Sequence, residues 1–476
     1  MKNIINNKLS NNFGLSSDIE KGLEAIGYQD ALPVQSQVIP YILEGKDLIV
    51  QAKTGSGKTA AFGIPIVEKI DTEENLPQVL VLTPTRELAV QVCEEIASIG
   101  KYKKIRCLPV YGKQPIHIQL RQLKQRVHVI VGTPGRIADL IKKKNLDLEK
   151  LKYLVIDEAD ELLKRGFLEE VEGIINRTPD TRNTLLFSAT MPDKIESICS
   201  RYLKEPTRIE LETEKEPIDQ IKQIWYEVAE DWKFLLLTKL MDTWSPKSCM
   251  IFCNTRSKVD RLTEKLKNSK YDCIALHGGI PQKDRLRAIS AFKNKQITYL
   301  IATDLAARGI HIDKLDLVIN YGIPMDNENY VHRIGRTGRC GEEGVAISLV
   351  SEYDKKKWEE IQEYIEFKVP KEDKDNIIKN APKAEKRQIK KRERPEKTHK
   401  DITRIRLNAG KNRKMRAGDV LGAISNMNGI NAEDIGIIDI LDTCTYVDIF
   451  NNKASIVLKE FEITKVKGKL IKAKKI

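Results

Sequence analysis

Three carboxylates stand within four positions of "VIDEAD" (155–160), at the end of an apolar run: Asp157, Glu158 and Asp160. Like charges this close repel one another unless a cation or a hydrogen-bond donor offsets the repulsion. One interpretation is a solvated loop that follows a buried strand. The other is a phosphoryl-transfer site, in which one carboxylate serves Mg²⁺ and the next positions an attacking water. The second interpretation requires a phosphate-binding segment elsewhere in the chain.

The segment "AKTGSGKT" (52–59) meets this requirement, because it follows the apolar run "DLIVQ" and contains two closely spaced glycines. Those glycines allow backbone N–H groups to converge on phosphate oxygens at a helix N-terminus. Lys58 would reach the β- and γ-phosphates, and Thr59 would ligate Mg²⁺. The segment opens with Ala52 where the general P-loop has Gly, but the acidic strand end favours a nucleotide site over a simple Gly-rich turn. The candidate ATP-binding residues here are Ala52, Lys53, Thr54, Gly55, Ser56, Gly57, Lys58 and Thr59.

Apolar runs alternate with helical stretches in two series along the first 370 residues. Continuous apolar runs are typical of parallel sheets that helices cover on both faces. A charged stretch with two prolines (203–221) separates the series, so we expect two α/β domains. A helix over "YDKKKWEEIQEYI" is expected to close the second domain. The runs are "DLIVQA", "QVLVLT", "VHVIVG", "KYLVID" and "NTLLFS", then "CMIFCN", "DCIALH", "TYLIAT" and "DLVINYG".

The length of 476 residues predicts roughly three domains. No apolar run reaches the roughly 18 residues that cross a bilayer, and the N-terminus does not resemble a secretory signal. We therefore expect a soluble, cytoplasmic protein. The eight cysteines are scattered. Cys249 and Cys253 lack a second pair for zinc, which favours buried free thiols.

The basic charge is concentrated near the C-terminus. Residues 381–476 contain 23 basic and 12 acidic residues, which accounts for +11 of the net charge of +13. The stretch 381–400 holds nine of those basic residues with almost no apolar pattern, which is typical of an extended linker. After residue 401, "ITRIRL", "YVDIF" and "SIVLKEFEI" are interpreted as short strands and "AGDVLGAISNM" as the start of a helix. A small α+β module is therefore expected there.

Further motifs stand in order across residues 13–339, and the whole set resembles the DEAD-box RNA helicases, whose name spells residues 157–160. The resemblance implies an ATPase with two RecA-like domains that binds ATP, Mg²⁺ and RNA. The motifs are "GYQDALPVQ" (27–35), "PTRELAVQ" (84–91), "TPGR" (133–136), "SAT" (188–190), "HGGIPQKDR" (277–285), "ATDLAARGI" (302–310) and "HRIGRTGR" (332–339).

The resemblance also implies a role for individual residues. Gln35 would read the adenine edge, with Tyr28 and Phe13 stacking on the base. Ser188, Ala189 and Thr190 would couple hydrolysis to unwinding. The implied catalytic residues are Lys58, Asp157 with Mg²⁺, Glu158 with the attacking water, and the arginine fingers Arg336 and Arg339. The implied RNA contacts are Arg86, Gly112, Thr133, Gly135, Arg136, Gln282, Arg285 and Thr303.

Three positions depart from the family pattern. Ala31 replaces the usual Pro of the adenine motif, and Lys113 follows Gly112 where a second Gly is usual. His311 stands after "ARGI", where the family has an Asp associated with the nucleotide ribose. A His can form one hydrogen bond to that ribose but supplies no negative charge, so nucleotide-dependent closure is expected to be weaker.

The segment 404–450 resembles the RNA-binding domain of the DbpA and YxiN type of bacterial helicase, recognisable through "NAGKNRKMRAGDVLGAI" and "IGIIDI…TYVDIF". The resemblance implies an RRM-like fold that binds a hairpin of 23S ribosomal RNA. An RRM usually stacks RNA bases on a pair of aromatic side chains. Here only one of the two positions is aromatic, because Tyr446 lies in the third expected strand while Cys444 occupies the other stacking position. A basic loop that merely adds electrostatic affinity is the alternative. The candidate RNA contacts are Lys411, Arg413, Lys414, Arg416 and Tyr446.

The sequence thus predicts an α/β protein, a monomeric ATP-dependent RNA helicase that acts on 23S rRNA in assembly of the large ribosomal subunit. Two alternatives remain open: a general or cold-adapted RNA chaperone, and a non-catalytic, ATP-gated RNA clamp. The expected domains are an ATP-binding RecA-like domain (1–210), a second RecA-like domain (211–370), a basic linker (371–400) and an RRM-like RNA-binding domain (401–476).

Overall fold

The computed structural model describes residues 13–52, 55–211, 221–307, 310, 312, 315–338, 344–380 and 401–476. Four predicted site residues therefore lie outside the described residues, namely Lys53, Thr54, His311 and Arg339, as does the stretch 381–400. The chain divides into two compact units. The first contains the N-terminal stretch up to Leu211 together with the C-terminal module, and the second contains the stretch between them.

The first unit is built on a seven-stranded parallel sheet with the strand order β3-β4-β2-β5-β6-β1-β7. Its strands are β1 (Leu48–Gln51), β2 (Val79–Leu82), β3 (Cys107–Val110), β4 (Val129–Gly132), β5 (Tyr153–Ile156), β6 (Asn183–Ser188) and β7 (Thr207–Glu210). Its helices are α1 (Ser17–Ala25), α2 (Pro33–Leu43), α3 (Lys58–Lys69), α4 (Arg86–Ile99), α5 (Ile116–Leu123), α6 (Pro134–Lys142), α7 (Ala159–Lys164), α8 (Leu168–Ile175) and α9 (Asp193–Tyr202).

All five strands predicted for this sheet are present, and β2, β4 and β5 are buried along their whole length. Parallel order brings the carboxyl ends of all these strands to one edge of the sheet. The segments that follow β1, β2, β4, β5 and β6 carry the predicted nucleotide and RNA motifs, so the fold collects these motifs at that edge.

Two strands of this sheet were not predicted, and both are its outermost strands. The strand β7 reads "TRIE", in which only Ile209 is buried. The strand β3 contains Pro109, which lacks a backbone N–H, and buries only alternate residues. Because an edge strand has a neighbour on one side only, it does not need a continuous apolar run.

The second unit is built on a six-stranded parallel sheet with the order β10-β11-β9-β12-β13-β8. Its strands are β8 (Ile221–Glu227), β9 (Cys249–Phe252), β10 (Cys273–Leu276), β11 (Tyr299–Ala302), β12 (Leu317–Asn320) and β13 (Gly344–Val350). Its helices are α10 (Lys233–Trp244), α11 (Arg256–Asn268), α12 (Gln282–Lys293), α13 (Asp304–Ala307), α14 (Asn327–Ile334), α15 (Lys355–Tyr364) and α16 (Lys374–Asn380). The four predicted strands are present, while β8 and β13 were not predicted.

The helix expected near residues 353–365 is α15, which buries Trp358 and Ile361. Ile365 packs against the same apolar cluster. The chain does not become a linker directly afterwards. Helix α16 lies in the stretch 371–400 that was predicted as linker, and its Ile377 and Ile378 pack against the core of this unit.

The thiols behave as the sequence predicts. Cys249 and Cys253 are buried in the second unit, and burial raises the pKa of Cys253 to about 12. Among the described residues, no group of three or more His, Cys, Asp or Glu side chains could hold a metal ion. Within the same described ranges, every helix is too short or too polar to cross a membrane.

The C-terminal module has a four-stranded antiparallel sheet with the order β15-β16-β14-β19. Its strands are β14 (Thr403–Leu407), β15 (Ile435–Ile440), β16 (Thr445–Ile449) and β19 (Ala473–Lys475), with a separate ribbon of β17 (Lys465–Val466) and β18 (Lys469–Leu470). Its helices are α17 (Ala417–Ser425) and α18 (Ala454–Glu460). This arrangement confirms the predicted small α+β module.

One prediction within the module was wrong. The segment "SIVLKEFEI" was interpreted as a strand because it is rich in β-branched and aromatic residues, but it folds mainly as helix α18. Its buried residues are Ala454, Val457 and Phe461. Their spacing of three and four positions is helical and places all three against the module's core.

Candidate nucleotide and RNA sites

The glycine-rich segment connects β1 to α3, as a phosphate-binding loop requires. Gly55 and Gly57 have positive φ angles of 81° and 89°, which favour glycine because it lacks a Cβ. A Cβ on Gly57 would also lie 2.8 Å from Gln35 Nε2. Lys58 and Thr59 are the first residues of α3 and are buried. The Lys58 ammonium donates a 2.7 Å hydrogen bond to the carbonyl of Ala52, so it is held within the loop.

The adenine motif is brought to this loop through Gln35. Its Nε2 donates to the carbonyl of Gly57 at 3.4 Å, and its Oε1 accepts from the backbone N–H of Leu32 at 2.9 Å. Tyr28 is oriented differently, because its hydroxyl donates to Glu95 Oε1 at 3.1 Å. Burial and the neighbouring Glu95 raise the pKa of Tyr28. Phe13 is the first described residue and is partly buried. Gln35, rather than the tyrosine, therefore has the observed link to the phosphate loop.

The acidic motif follows β5, and all three of its carboxylate residues are buried. Asp157 Oδ1 accepts a 3.0 Å hydrogen bond from the backbone N–H of Glu158. Glu158 has a φ of 51°, a left-handed conformation that is uncommon outside glycine and is typical of functional turns. The three carboxylates are thus held by the protein instead of lying in a solvated loop.

The third carboxylate connects the acidic motif to the "SAT" motif after β6. Thr190 Oγ1 donates to Asp160 Oδ2 at 3.2 Å, and the backbone N–H of Asp160 donates to Ser188 Oγ at 3.2 Å. The carbonyl of Ala189 accepts from Gln51 Nε2 at 3.4 Å, at the end of β1. Sequence reasoning counted Asp160 in the acidic cluster but gave it no role, and its partner at position 190 is visible only in the fold.

The RNA residues predicted in the first unit follow β2, β3 and β4 at one edge of the sheet. Arg86 begins α4 and lies beside Gly112, where an added Cβ would be 3.9 Å from its guanidinium. Thr133 precedes α6, and Gly135 faces open space. Arg136 donates to Gln119 Oε1 at 3.1 Å and to the carbonyl of Gln114 at 3.3 Å. The fold therefore brings these five predicted residues to one region.

In the second unit, the predicted RNA residues follow β10 and β11, which are adjacent strands. Arg285 donates to the carbonyl of His277 at 3.2 Å. Thr303 is buried directly after β11, and its backbone N–H donates to Leu276 at the end of β10. Gln282 is the first residue of α12. These residues therefore also occupy the carboxyl-terminal edge of their sheet.

Arg336 follows α14 and donates a 2.9 Å hydrogen bond to the carbonyl of Ile310. Another arginine of the same motif, Arg333, has a role that the sequence did not indicate. It is 1% exposed, donates to Asp304 Oδ2 at 2.7 Å and to the carbonyl of Gly322 at 2.6 Å. It thus joins the ends of β11 and β12. In the sequence, the only indication of a role for Arg333 is its position within "HRIGRTGR". That position does not distinguish a structural arginine from an arginine finger.

The basic loop of the module precedes α17 and exposes all four of its predicted RNA residues, Lys411, Arg413, Lys414 and Arg416, while Met415 is buried. The loop is held at its start by hydrogen bonds of 2.8 Å from two backbone N–H groups to the carbonyls of Leu441 and Asp442. Gly410 is needed there, because a Cβ would lie 2.2 Å from the carbonyl oxygen of Leu441.

The end of this loop is held by a lysine that sequence reasoning missed. Lys467 Nζ donates to the carbonyl of Lys414 at 2.7 Å and pairs with Asp419 at 2.8 Å. Tyr446 lies in β16 as expected, with the Arg404 guanidinium 5.5 Å from its ring centroid. Cys444 is buried. The four cations are therefore exposed, whereas the aromatic residue is partly buried.

Comparison with protein-family models finds matches along most of the chain. Residues 32–198 match the DEAD/DEAH box helicase model. Residues 232–341 match the helicase conserved C-terminal domain, and residues 404–475 match the DbpA RNA binding domain.

Individual relatives agree with these matches. The chain is 46% identical over 471 residues to the ATP-dependent RNA helicase DbpA of Bacillus subtilis (strain 168), covering 98% of both chains. It is 47% identical over 338 residues to the DEAD-box ATP-dependent RNA helicase CshA of Bacillus cereus (strain ATCC 10987), covering 71% of this chain and 64% of that one.

A solved structure shows the same helicase fold. S. cerevisiae Dbp5 bound to RNA and ADP BeF3 aligns with a TM-score of 0.66 at 32% identity, covering 78% of this chain and 99% of the yeast chain. The phosphate loop, the acidic strand end and the two parallel sheets thus agree with the family models and with a relative of nearly equal length. The chain belongs to the DEAD-box ATP-dependent RNA helicases.

Proposed function

We propose that this helicase hydrolyses ATP with Lys58, Asp157, Glu158, Arg336 and Arg339, and that its C-terminal module directs it to 23S rRNA during assembly of the large ribosomal subunit. The chemistry is phosphoryl transfer, in which an enzyme mainly positions the reactants and stabilises charge. The buried residues Lys58 and Thr59 at the start of α3 and the buried acidic strand end support the assignment for the first unit.

We assign the positioning of the attacking water to Glu158. Its backbone has a left-handed conformation directly after Asp157, so one turn sets the orientation of both carboxylates. We propose that Glu158 orients the water and accepts its proton. Lys58 would exchange its hydrogen bond to the carbonyl of Ala52 for one to the β- and γ-phosphates, since a phosphate is a stronger acceptor than a neutral carbonyl.

A divalent cation fits the donors at this edge of the sheet. Thr59 supplies a hydroxyl and Asp157 a carboxylate, which are the hard oxygen ligands that Mg²⁺ prefers. Mg²⁺ in such sites relies on phosphate oxygens and waters for its other ligands, so a protein cage of several acids is not required. When bound, the ion neutralises charge on the β- and γ-phosphates.

The fingers Arg336 and Arg339 belong to the helicase conserved C-terminal domain. We propose that they stabilise the charge on the γ-phosphate when the two domains close on ATP and RNA. The RNA contacts assigned to Arg86, Arg136 and Arg285 would favour that closure, which makes hydrolysis depend on RNA.

We assign the targeting to 23S rRNA to the exposed loop from Lys411 to Arg416. The structure of this loop is the observation that supports the assignment most strongly. It presents four cations from a backbone that is hydrogen-bonded at both ends. A loop that is ordered before binding loses little conformational entropy on binding, and it can select an RNA shape as well as attract phosphates.

The test replaces Lys411, Arg413, Lys414 and Arg416 with Ala in the full-length chain. ATPase rates are measured against a panel of RNAs that includes the 23S rRNA, an unrelated duplex and a single strand, at several salt concentrations. The matched control replaces Lys465, Lys469, Lys472 and Lys475, which are also exposed lysines of the module.

Specific targeting predicts that the loop variant loses its preference for 23S rRNA, while its rate at saturating unrelated RNA stays near wild type. The control variant should retain the preference. A wild-type chain that responds equally to all three RNAs across the salt range would instead indicate a general RNA chaperone.

A further inference from the structure

The C-terminal module contacts the parallel-sheet domain of its own compact unit through pairs of opposite charge. Lys101 Nζ lies 2.6 Å from Asp448 Oδ2, and Arg106 Nη2 lies 3.3 Å from Asp439 Oδ1. Arg121 pairs with Asp442 in the same way. Every base in these pairs belongs to the helicase domain and every acid to the module. The two surfaces are therefore complementary in charge.

The contact also covers the edge of the module's sheet. Strand β15 is the outermost strand, so the polar backbone groups on its outer side have no strand partner among the described residues. Gln125 Nε2 donates to the carbonyl of Ile440 at 3.2 Å, and Arg106 donates to the carbonyl of Ile438. These carbonyls are two residues apart and therefore point to the same side of the strand. Helicase side chains thus take the place of a neighbouring strand.

An aromatic contact completes the surface. The Tyr102 hydroxyl donates to Asp401 Oδ1 at 2.6 Å, and the rings of Tyr102 and Phe450 are 5.6 Å apart. Lys104 Nζ lies 5.9 Å from the Phe450 ring centroid. Phe450 is 6% exposed. The module therefore buries an aromatic side chain here as well as charges.

The burial of Asp448 identifies the kind of partner that this face requires. Its side chain is only 2% exposed, with Lys101 on one side and Arg404 Nε 3.4 Å away. A buried carboxylate without cationic partners is strongly destabilising. Arg404 of the module pairs with both Asp439 and Asp448, but with Asp401 and Asp442 the face still has a net negative charge that repels phosphates. This charge favours a basic protein surface over a nucleic acid as the occupant.

The contact lies away from most of the helicase motifs. Arg106 directly precedes β3, so the module lies toward the amino ends of the strands. The predicted phosphate-loop, acidic and RNA motifs of this domain follow the carboxyl ends, at the opposite edge, whereas Gly27 of the adenine motif lines a cavity together with Asp401 and Phe450 of the module. Helix α5 extends between the two regions, because Gln119 near its middle holds Arg136 while Arg121 and Gln125 at its end hold the module.

We propose that the acidic edge of the module, formed by Asp401, Asp439, Asp442, Asp448 and Phe450, is an intramolecular docking surface for the basic surface of the helicase domain formed by Lys101, Tyr102, Arg106, Arg121 and Gln125. The docked module holds its basic loop at a fixed position relative to the first RecA-like domain. RNA bound by that loop is then presented from a defined direction, and both sites can be occupied together.

The experiment measures the distance between spin labels on genetically encoded residues at Lys164 and Lys459, which are exposed positions on the helicase domain and the module. Full-length chains are mixed with excess unlabelled chain, so that only distances within one chain contribute. We expect one narrow distance distribution in the wild type. Lys101→Glu with Arg106→Glu should broaden it, and adding Asp439→Lys with Asp448→Lys should restore it.

The control is Lys143→Glu with Lys150→Glu, which makes the same charge change on exposed lysines of the helicase domain without a described contact to the module. It should keep the narrow distribution. The proposal is overturned if the wild-type distribution is broad, or if charge reversal at positions 101 and 106 leaves it narrow. It is also overturned if the narrow distance disappears on mixing with unlabelled chain, because the module would then dock on a second copy.

Charge reversal at Asp448 alters a buried group of the module. The decisive comparison is therefore between the wild type and the variant with Lys101→Glu and Arg106→Glu, because that variant changes only half-buried residues of the helicase domain. Its ATPase rate at saturating unrelated RNA should equal that of the wild type, which shows that the helicase domain is folded. Broadening together with an unchanged rate supports docking as a separate property of the chain.

Discussion

Thr190 Oγ1 donates a 3.2 Å hydrogen bond to Asp160 Oδ2 and so joins the turn after β6 to the acidic motif after β5. The two motifs are thirty residues apart in the sequence but follow adjacent strands. The two motifs are therefore in direct contact through one polar side-chain pair.

Thr190→Val keeps the side-chain shape and removes this hydrogen bond. A hydrogen bond to a charged group contributes about 1.5–3 kcal/mol, so coupling should fall about 10-fold to 100-fold. We expect the number of duplexes unwound per ATP hydrolysed to fall while ATP hydrolysis largely persists. Thr243→Val, at an exposed threonine of the second unit, is the control. Equal losses of unwinding and hydrolysis would argue against a coupling role.

Glu158→Gln tests the assignment of the attacking water. The variant keeps the size of the side chain in the turn with φ of 51°, so ATP binding should remain. Because a positioned general base contributes roughly 10²- to 10⁴-fold, turnover should fall by that range. Equilibrium binding of ATP and single-turnover hydrolysis separate the two effects. Glu161→Gln is the control, and near-normal turnover in Glu158→Gln would refute the mechanism.

Arg336→Ala tests the proposed role of Arg336 as an arginine finger. An arginine finger contributes roughly 10³ to 10⁵ in rate, so RNA-stimulated turnover should fall by several orders of magnitude with little change in ATP affinity. Arg287→Ala, an exposed arginine of the same unit, should be close to wild type. Weaker ATP binding at normal turnover would instead place Arg336 in ground-state binding.

Arg333→Met tests a structural role in the same motif. The variant leaves Asp304 and the carbonyl of Gly322 without the buried guanidinium that they contact. Removing one partner of a buried ion pair costs about 3–5 kcal/mol, so the free energy of unfolding of the second unit should fall by about that amount. Denaturant titration measures it. Arg287→Met should change it by less than about 1 kcal/mol, and a similar small change at Arg333 would contradict the structural role.

Lys467→Ala tests whether the shape of the basic loop matters. The variant removes the tether to Lys414 and Asp419 without changing any of the four proposed RNA contacts. We expect discrimination between 23S rRNA and unrelated RNA to fall by a few-fold, because the loop loses contacts that hold its shape, while an exposed ion pair by itself contributes little. Lys469→Ala removes the same charge from an exposed position. Equal discrimination in the two variants would show that only charge matters.

The sequence determined the architecture of the helicase domains and the positions of their motifs. Apolar runs such as those at β2 and β5 are typical of buried strands, and the patterns "AKTGSGKT" and "VIDEAD" are contained in a few neighbouring residues. Parallel order then places such motifs at one edge of the sheet, because consecutive strands of this kind end on the same side.

Tertiary structure decided the features that depend on distant partners. The edge strands β3 and β7 carry no continuous apolar run, and helix α18 shares its β-branched composition with strands, so only packing distinguishes them. The pairs Asp160 with Thr190 and Asp304 with Arg333 unite different motifs. Lys101 and Asp448 are more than 300 residues apart, and each resembles an ordinary surface charge in sequence. Their burial against one another follows only from the fold, because no local pattern records which charges will be desolvated together.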